Sequence, residues 1–132
     1  MKADTTFLRR ILAFDAATCA AMGLGLALGA GPLARVFELP DGLLREAGIL
    51  LLPFAALLVW TAQRDRVLPG LVWAIIGGNA AWTMASAALL LGGILTPNAL
   101  GLAFVAGQAV AVAIIAEVEA LALRRARAAA LA

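Results

Sequence analysis

Four apolar runs, each long enough to cross a bilayer, constrain this chain more than any other feature of its sequence. A transmembrane helix needs about 20 predominantly apolar residues. The first run extends from position 7 to 30 and is interrupted by Asp15; the others cover 43–62, 67–92 and 98–123. Hydrophobic residues make up 64% of the chain, whereas soluble domains hold about 45–50%. A soluble fold of this size would lack the polar surface to cover such a core. The fold class expected is all-α: a polytopic four-transmembrane-helix bundle forming one domain over 1–132, with a basic tail at 124–132.

Local signals mark the ends of the runs. Asp4, Thr5 and Thr6 offer N-caps to the first helix, and Pro32 is expected to close it. The stretch 31–42 then reads as a connector with Phe37 and Leu39 dipping into the lipid surface. Asp41 caps the second helix and pairs with Arg45 one turn on. Pro53 lies inside that helix, and Pro69 suits the first turn of the third. Arg124, Arg125 and Arg127 end the fourth, where cations suit a helix C-terminus.

Charge orients the spans. Lys2, Arg9, Arg10, Arg64, Arg66, Arg124, Arg125 and Arg127 fall on one side, and Arg35 and Arg45 on the other. The positive-inside rule places both termini in the cytoplasm, as an even number of spans requires. The first run is longer than a signal-peptide core and contains an acid, so it reads as a retained helix. The expected location is the bacterial inner (cytoplasmic) membrane, multi-pass, with the lipid bilayer as the first partner. The basic residues flank apolar runs rather than forming a footprint, which argues against nucleic acid.

The chain has one cysteine, Cys19, and no histidine. An internal disulfide, a His-containing metal site and a Ser-His or Cys-His catalytic pair are excluded. No cofactor and no metal site is expected.

Polar residues inside the runs are the candidate site. Asp15 lies roughly 10 Å inside the first helix at 1.5 Å per residue. A charged Asp at mid-membrane costs about 2.5–3.5 kcal/mol on insertion scales, so it is expected to face the bundle. It shares a helical face with Thr18, Met22, Gly25 and Gly29, a stripe of small residues suited to close packing. Asn79, Thr83 and Ser86 form a polar stripe on the third helix. Asn79 is expected to bond Gln108 of the fourth across the midplane, with Trp82 beside them. Glu117 and Glu119 fall on opposite sides of the fourth helix, so only one can face the bundle. Glu119 reads as a solvated helix end balancing the arginines; Glu117 is kept with Asp15, Asn79, Trp82, Thr83, Ser86 and Gln108 as the candidate ligand or proton site.

Leu51-Leu52-Pro53-Phe54-Ala55 and the stretch Glu117 to Arg125 resemble segments of small bacterial four-helix inner-membrane proteins, a resemblance that implies the fold and membrane but no activity. Size and an acid in the first helix are similar to those of small multidrug exporters. The similarity ends there, because this chain has no tyrosine where those exporters carry an aromatic-rich site. Three functions follow in order of preference. The first is a non-catalytic accessory, assembly or lipid- and hydrophobic-ligand-binding bundle, alone or as a homo-oligomer or part of a larger membrane complex. The second is a small oligomeric transporter or channel using Asp15. The third, a membrane enzyme acting on lipid or quinone, has only Asp15 and Glu117 as acid-base groups and ranks last.

Overall fold

The computed structural model describes residues 5–132. It consists of four α-helices: α1 (Thr6–Phe37), α2 (Asp41–Gln63), α3 (Pro69–Leu91) and α4 (Ala99–Leu131). Among the described residues there is no strand. Each helix is long and apolar enough to cross a membrane. Large apolar side chains such as Leu28, Met84 and Leu91 point outward, as lipid permits and water does not. The protein is a small, multi-pass integral membrane protein.

The helices form two antiparallel hairpins. α1 packs along α2, α3 packs along α4, and α1 meets α4 between the hairpins; α2 and α3 scarcely touch. Close approach of α1 and α2 depends on glycine. A Cβ on Gly48 would fall on the backbone nitrogen of Ala27 and against the carbonyl of Gly23. The buried face of α1 therefore runs through Leu12, Asp15, Cys19, Gly23 and Leu26. Gly25, expected on that face, has no neighbour within 4 Å of where a Cβ would stand. The stripe expected from spacing is thus rotated: small size alone does not distinguish Gly23 from Gly25, and the partner glycine on α2 does.

Two helices run further than expected. α1 continues through Pro32 to Phe37, so the stretch 31–37 is helix rather than connector. Its last carbonyls are met from α4. Asn98 Nδ2 donates to the Val36 carbonyl at 2.8 Å, the Asn98 backbone N–H donates to that of Phe37 at 3.3 Å, and Phe37 stacks on Phe104 with ring centres 4.6 Å apart. Asn98 also caps α4, accepting from the Gly101 N–H at 2.8 Å. α4 passes through the arginines to Leu131, so 124–131 is helix and not a loose tail. Alanine and arginine are strong helix formers, and Ala122 and Leu123 join Leu8 and Leu12 in the core. At 1.5 Å per residue α1 and α4 reach about 48–50 Å, against about 30 Å of hydrocarbon, so their ends stand in the headgroup layer or water.

The remaining ends need smaller corrections. Pro40, not Asp41, is the N-cap of α2; Asp41 is its first residue and pairs with Arg45 at 3.1 Å. Thr5 is the N-cap of α1 without a side-chain cap bond; Lys2 and Asp4 lie outside the described residues. Arg9 of α1 ties the basic end together. Its guanidinium donates to the Ala62 and Asp65 carbonyls, both at 3.0 Å.

Glu38 follows α1 in the left-handed conformation, φ 53° and ψ 49°. That position favours glycine, since a side chain there costs roughly 1–2 kcal/mol. Glu38→Gly is expected to raise the melting temperature in detergent, and an unchanged or lower value would count against this reading of the turn.

Candidate functional site

The buried positions of α1, α3 and α4 bring three polar side chains to one point. Asn79 Nδ2 donates to Asp15 Oδ2 at 2.8 Å and to Glu119 Oε2 at 3.2 Å. The exposures of the three are 3%, 1% and 0%, so the two carboxyls are closed off from bulk water, with Asn79 at the edge of the cluster. Cys19 Sγ donates to Asp15 Oδ1 at 3.4 Å. Glu119 Oε1 is buried without a partner. Two carboxyls thus converge on one amide, and no cationic side chain balances them: among the described residues the one salt bridge is Asp41–Arg45, at the other end of the bundle. Among the described residues no group of three or more acids and thiols is arranged to hold a metal.

A second polar cluster stands further along α3 and α4. Trp82 Nε1 donates to Gln108 Oε1 at 2.7 Å. Gln108 Nε2 donates to Ser86 Oγ at 3.1 Å and to the Val105 carbonyl at 2.9 Å. Ser86 Oγ donates to the Trp82 carbonyl at 2.8 Å, closing the ring. Thr83 Oγ1 lies 3.1 Å from the Asn79 carbonyl and 3.3 Å from that of Ala109, and so joins α3 to α4. The indole and amide are fully used, as burial of such groups demands.

These placements revise the expected site in two ways. Asn79 and Gln108 do not bond each other; Asn79 serves the carboxyls and Gln108 serves Trp82 and Ser86. Of the two glutamates, Glu119 faces the bundle and Glu117 is exposed on the outer α3–α4 surface. Glu119 is therefore no solvated helix end. The available signal was its phase: Glu119 lies three turns beyond Gln108 on one face of α4.

The gap between α2 and α3 holds two cavities of about 350 and 390 Å³. The first is lined by Leu26, Leu43, Ala47, Leu89, Phe104 and the Trp82–Gln108–Ser86 ring, with Glu46 at its rim. The second is lined by Cys19, Pro53, Phe54, Leu57, Asn79 and Trp82. Leu50 lines both and is 62% exposed, so the gap reaches the outer surface of the bundle. Trp82 stands in the wall of both. Asn79 joins this gap to the acidic pair, with its side chain between them. At the basic end Trp60 and Trp73 are half-exposed, with Arg64 and Arg124 over their rings.

No family model matches the sequence, and no match was found among curated proteins or solved structures.

Proposed function

We propose that this protein is a non-catalytic bundle of the bacterial inner membrane that binds a lipid or similar hydrophobic ligand in the groove between α2 and α3. The observation that carries this reading is the groove itself. Two helices that could close on one another stand apart, and the space between them is walled by apolar side chains with a satisfied Trp–Gln–Ser ring. Ligand sites are concave, mostly apolar and marked by few polar groups. A groove open to the bilayer takes its ligand sideways, without passage through water.

Trp82 reports on occupancy. With Trp60→Phe and Trp73→Phe it becomes the sole tryptophan. In bilayers containing phospholipids brominated on their acyl chains, its fluorescence is expected to be quenched as strongly as that of a lipid-facing variant retaining Trp60 alone. A Trp82 shielded from brominated chains would refute the lipid reading.

The uncompensated pair Asp15 and Glu119 favours a second reading, a cation- or proton-coupled transporter. Four helices leave little room for a path in one chain, so the path would lie between copies. Glu117, exposed on the outer α3–α4 surface, is placed to face such a neighbour. Flux in liposomes that disappears with Asp15→Asn, together with an oligomer in native mass spectrometry, would favour this reading over the first.

A further inference from the structure

Beyond the second cavity, whose α2 lining ends at Leu57, the helix runs on to the basic end. Phe54 and Leu57 line the cavity; Trp60 and Arg64 stand three and seven positions beyond Leu57, on the same side of the helix. Arg64 is thus about 10 Å past Leu57 along the axis, the offset between an acyl chain and its headgroup region. Its guanidinium carbon lies 4.4 Å from the centre of the Trp60 ring. Its Nε is buried without a partner, and among the described residues no acid forms an ion pair with it. Nor is Arg64 occupied in capping α2, because Arg9 supplies the donors to the carbonyls there. Seven arginines gather at this end, within 9–10, 64–66 and 124–127, against Asp65 as the one acid beside them among the described residues.

We propose that the occupant of the groove is an anionic phospholipid, its phosphate on Arg64 and its chain running past Leu57 and Phe54 toward Trp82. This assignment rests on the lipid-binding reading above and adds the headgroup class and the leaflet. The stack on Trp60 holds the guanidinium in place before binding, and a guanidinium offers paired N–H groups to phosphate oxygens. The indole sits at headgroup height, where its apolar body and polar edge are both served. The excess of arginine favours a lipid with net negative charge over a zwitterionic one. Glu46, at the rim of the other cavity, would instead suit an ammonium headgroup entering from the opposite leaflet.

The test is competition, read by native mass spectrometry of the full chain. The protein is reconstituted in equal amounts of phosphatidylglycerol and phosphatidylethanolamine with matched chains, and the ratio of the two lipids retained is measured. Wild type is expected to retain phosphatidylglycerol preferentially. Arg64→Gln is expected to lower that ratio about fivefold, the factor equivalent to about 1 kcal/mol per basic residue near an anionic surface. Arg64→Lys, which keeps the charge and loses the fork, is expected to fall between. Arg127→Gln, on the exposed end of α4, is expected to change the ratio little. Inorganic phosphate, which has no chain, is expected not to displace the lipid.

Equal retention of the two lipids by wild type, or a preference for phosphatidylethanolamine, would overturn the proposal. So would displacement by phosphate, or an equal loss in Arg64→Gln and Arg127→Gln, which would mean diffuse attraction without a site. Quenching of Trp82 separates the two levels. Quenching with no headgroup preference overturns this proposal and leaves the groove reading standing; absence of Trp82 quenching in the Trp60→Phe, Trp73→Phe background removes both.

Discussion

Asn79→Leu is expected to destabilise the protein more than loss of either carboxyl that Asn79 serves. The amide nitrogen donates to both Asp15 and Glu119. Leucine removes the donor and leaves two buried acceptors. Each buried polar group left without a partner costs about 1–3 kcal/mol, so a loss of roughly 2–6 kcal/mol is expected for the pair. Glu119→Leu leaves Asn79 its bond to Asp15 and is expected to cost less. Replacing all three by leucine is expected to recover much of the loss, because an apolar trio needs no partners and a buried polar cluster is often matched in stability by apolar residues of similar size. The measurement is unfolding in mild detergent titrated with a denaturing detergent, followed by circular dichroism. Asn79→Leu within about 0.5 kcal/mol of wild type would show that the triad contributes little. A triple variant that costs the sum of the three single variants would show that the side chains act independently.

Gly48→Leu is expected to separate α2 from α1. A Cβ alone at this site already overlaps backbone atoms of Ala27 and Gly23. Backbone cannot rotate aside as a side chain does. Overpacking a core costs about 1–3 kcal/mol, and a leucine pressed against backbone is expected at or above the top of that range. Since α1 and α2 make the most extensive helix contact in the bundle, the loss should appear as reduced yield of folded protein as well as a lower melting temperature. Gly25→Ala is the matched control. It lies on the same helix as Gly23, has nothing within 4 Å of a Cβ, and gains up to about 1 kcal/mol of helix propensity. Comparable destabilisation by the two substitutions would contradict the packing described.

The four spans were legible because each helix must supply its own run of apolar residues, and no neighbour can supply it instead. Their ends were less so. Pro32 reads as a stop, yet α1 passes it, since Asn98 from the far hairpin satisfies the carbonyls of Val36 and Phe37. A terminus rescued from another helix leaves no mark in its own local sequence. That Asp15 faces inward followed from the cost of a carboxyl in lipid. Its partners did not follow. Asn79 and Gln108 both lie near mid-span, but α3 and α4 are antiparallel and Asn79 stands about three residues further from the loop that joins them, roughly 4–5 Å along the axis. That offset sends Asn79 to the acids and Gln108 to Trp82.

Residue order alone was therefore enough to require a four-helix membrane protein, to locate the end at which its basic charge gathers, and to demand that certain polar groups be buried. Three further facts came from the folded bundle. Glu119 and not Glu117 joins Asp15, Gly23 and Gly48 make the close approach, and α2 and α3 stand apart around a groove. The physical reason is common to all three. Helical periodicity states which residues share a face, but which face turns inward, and at what height it meets its neighbour, is set by the packing of all four helices together.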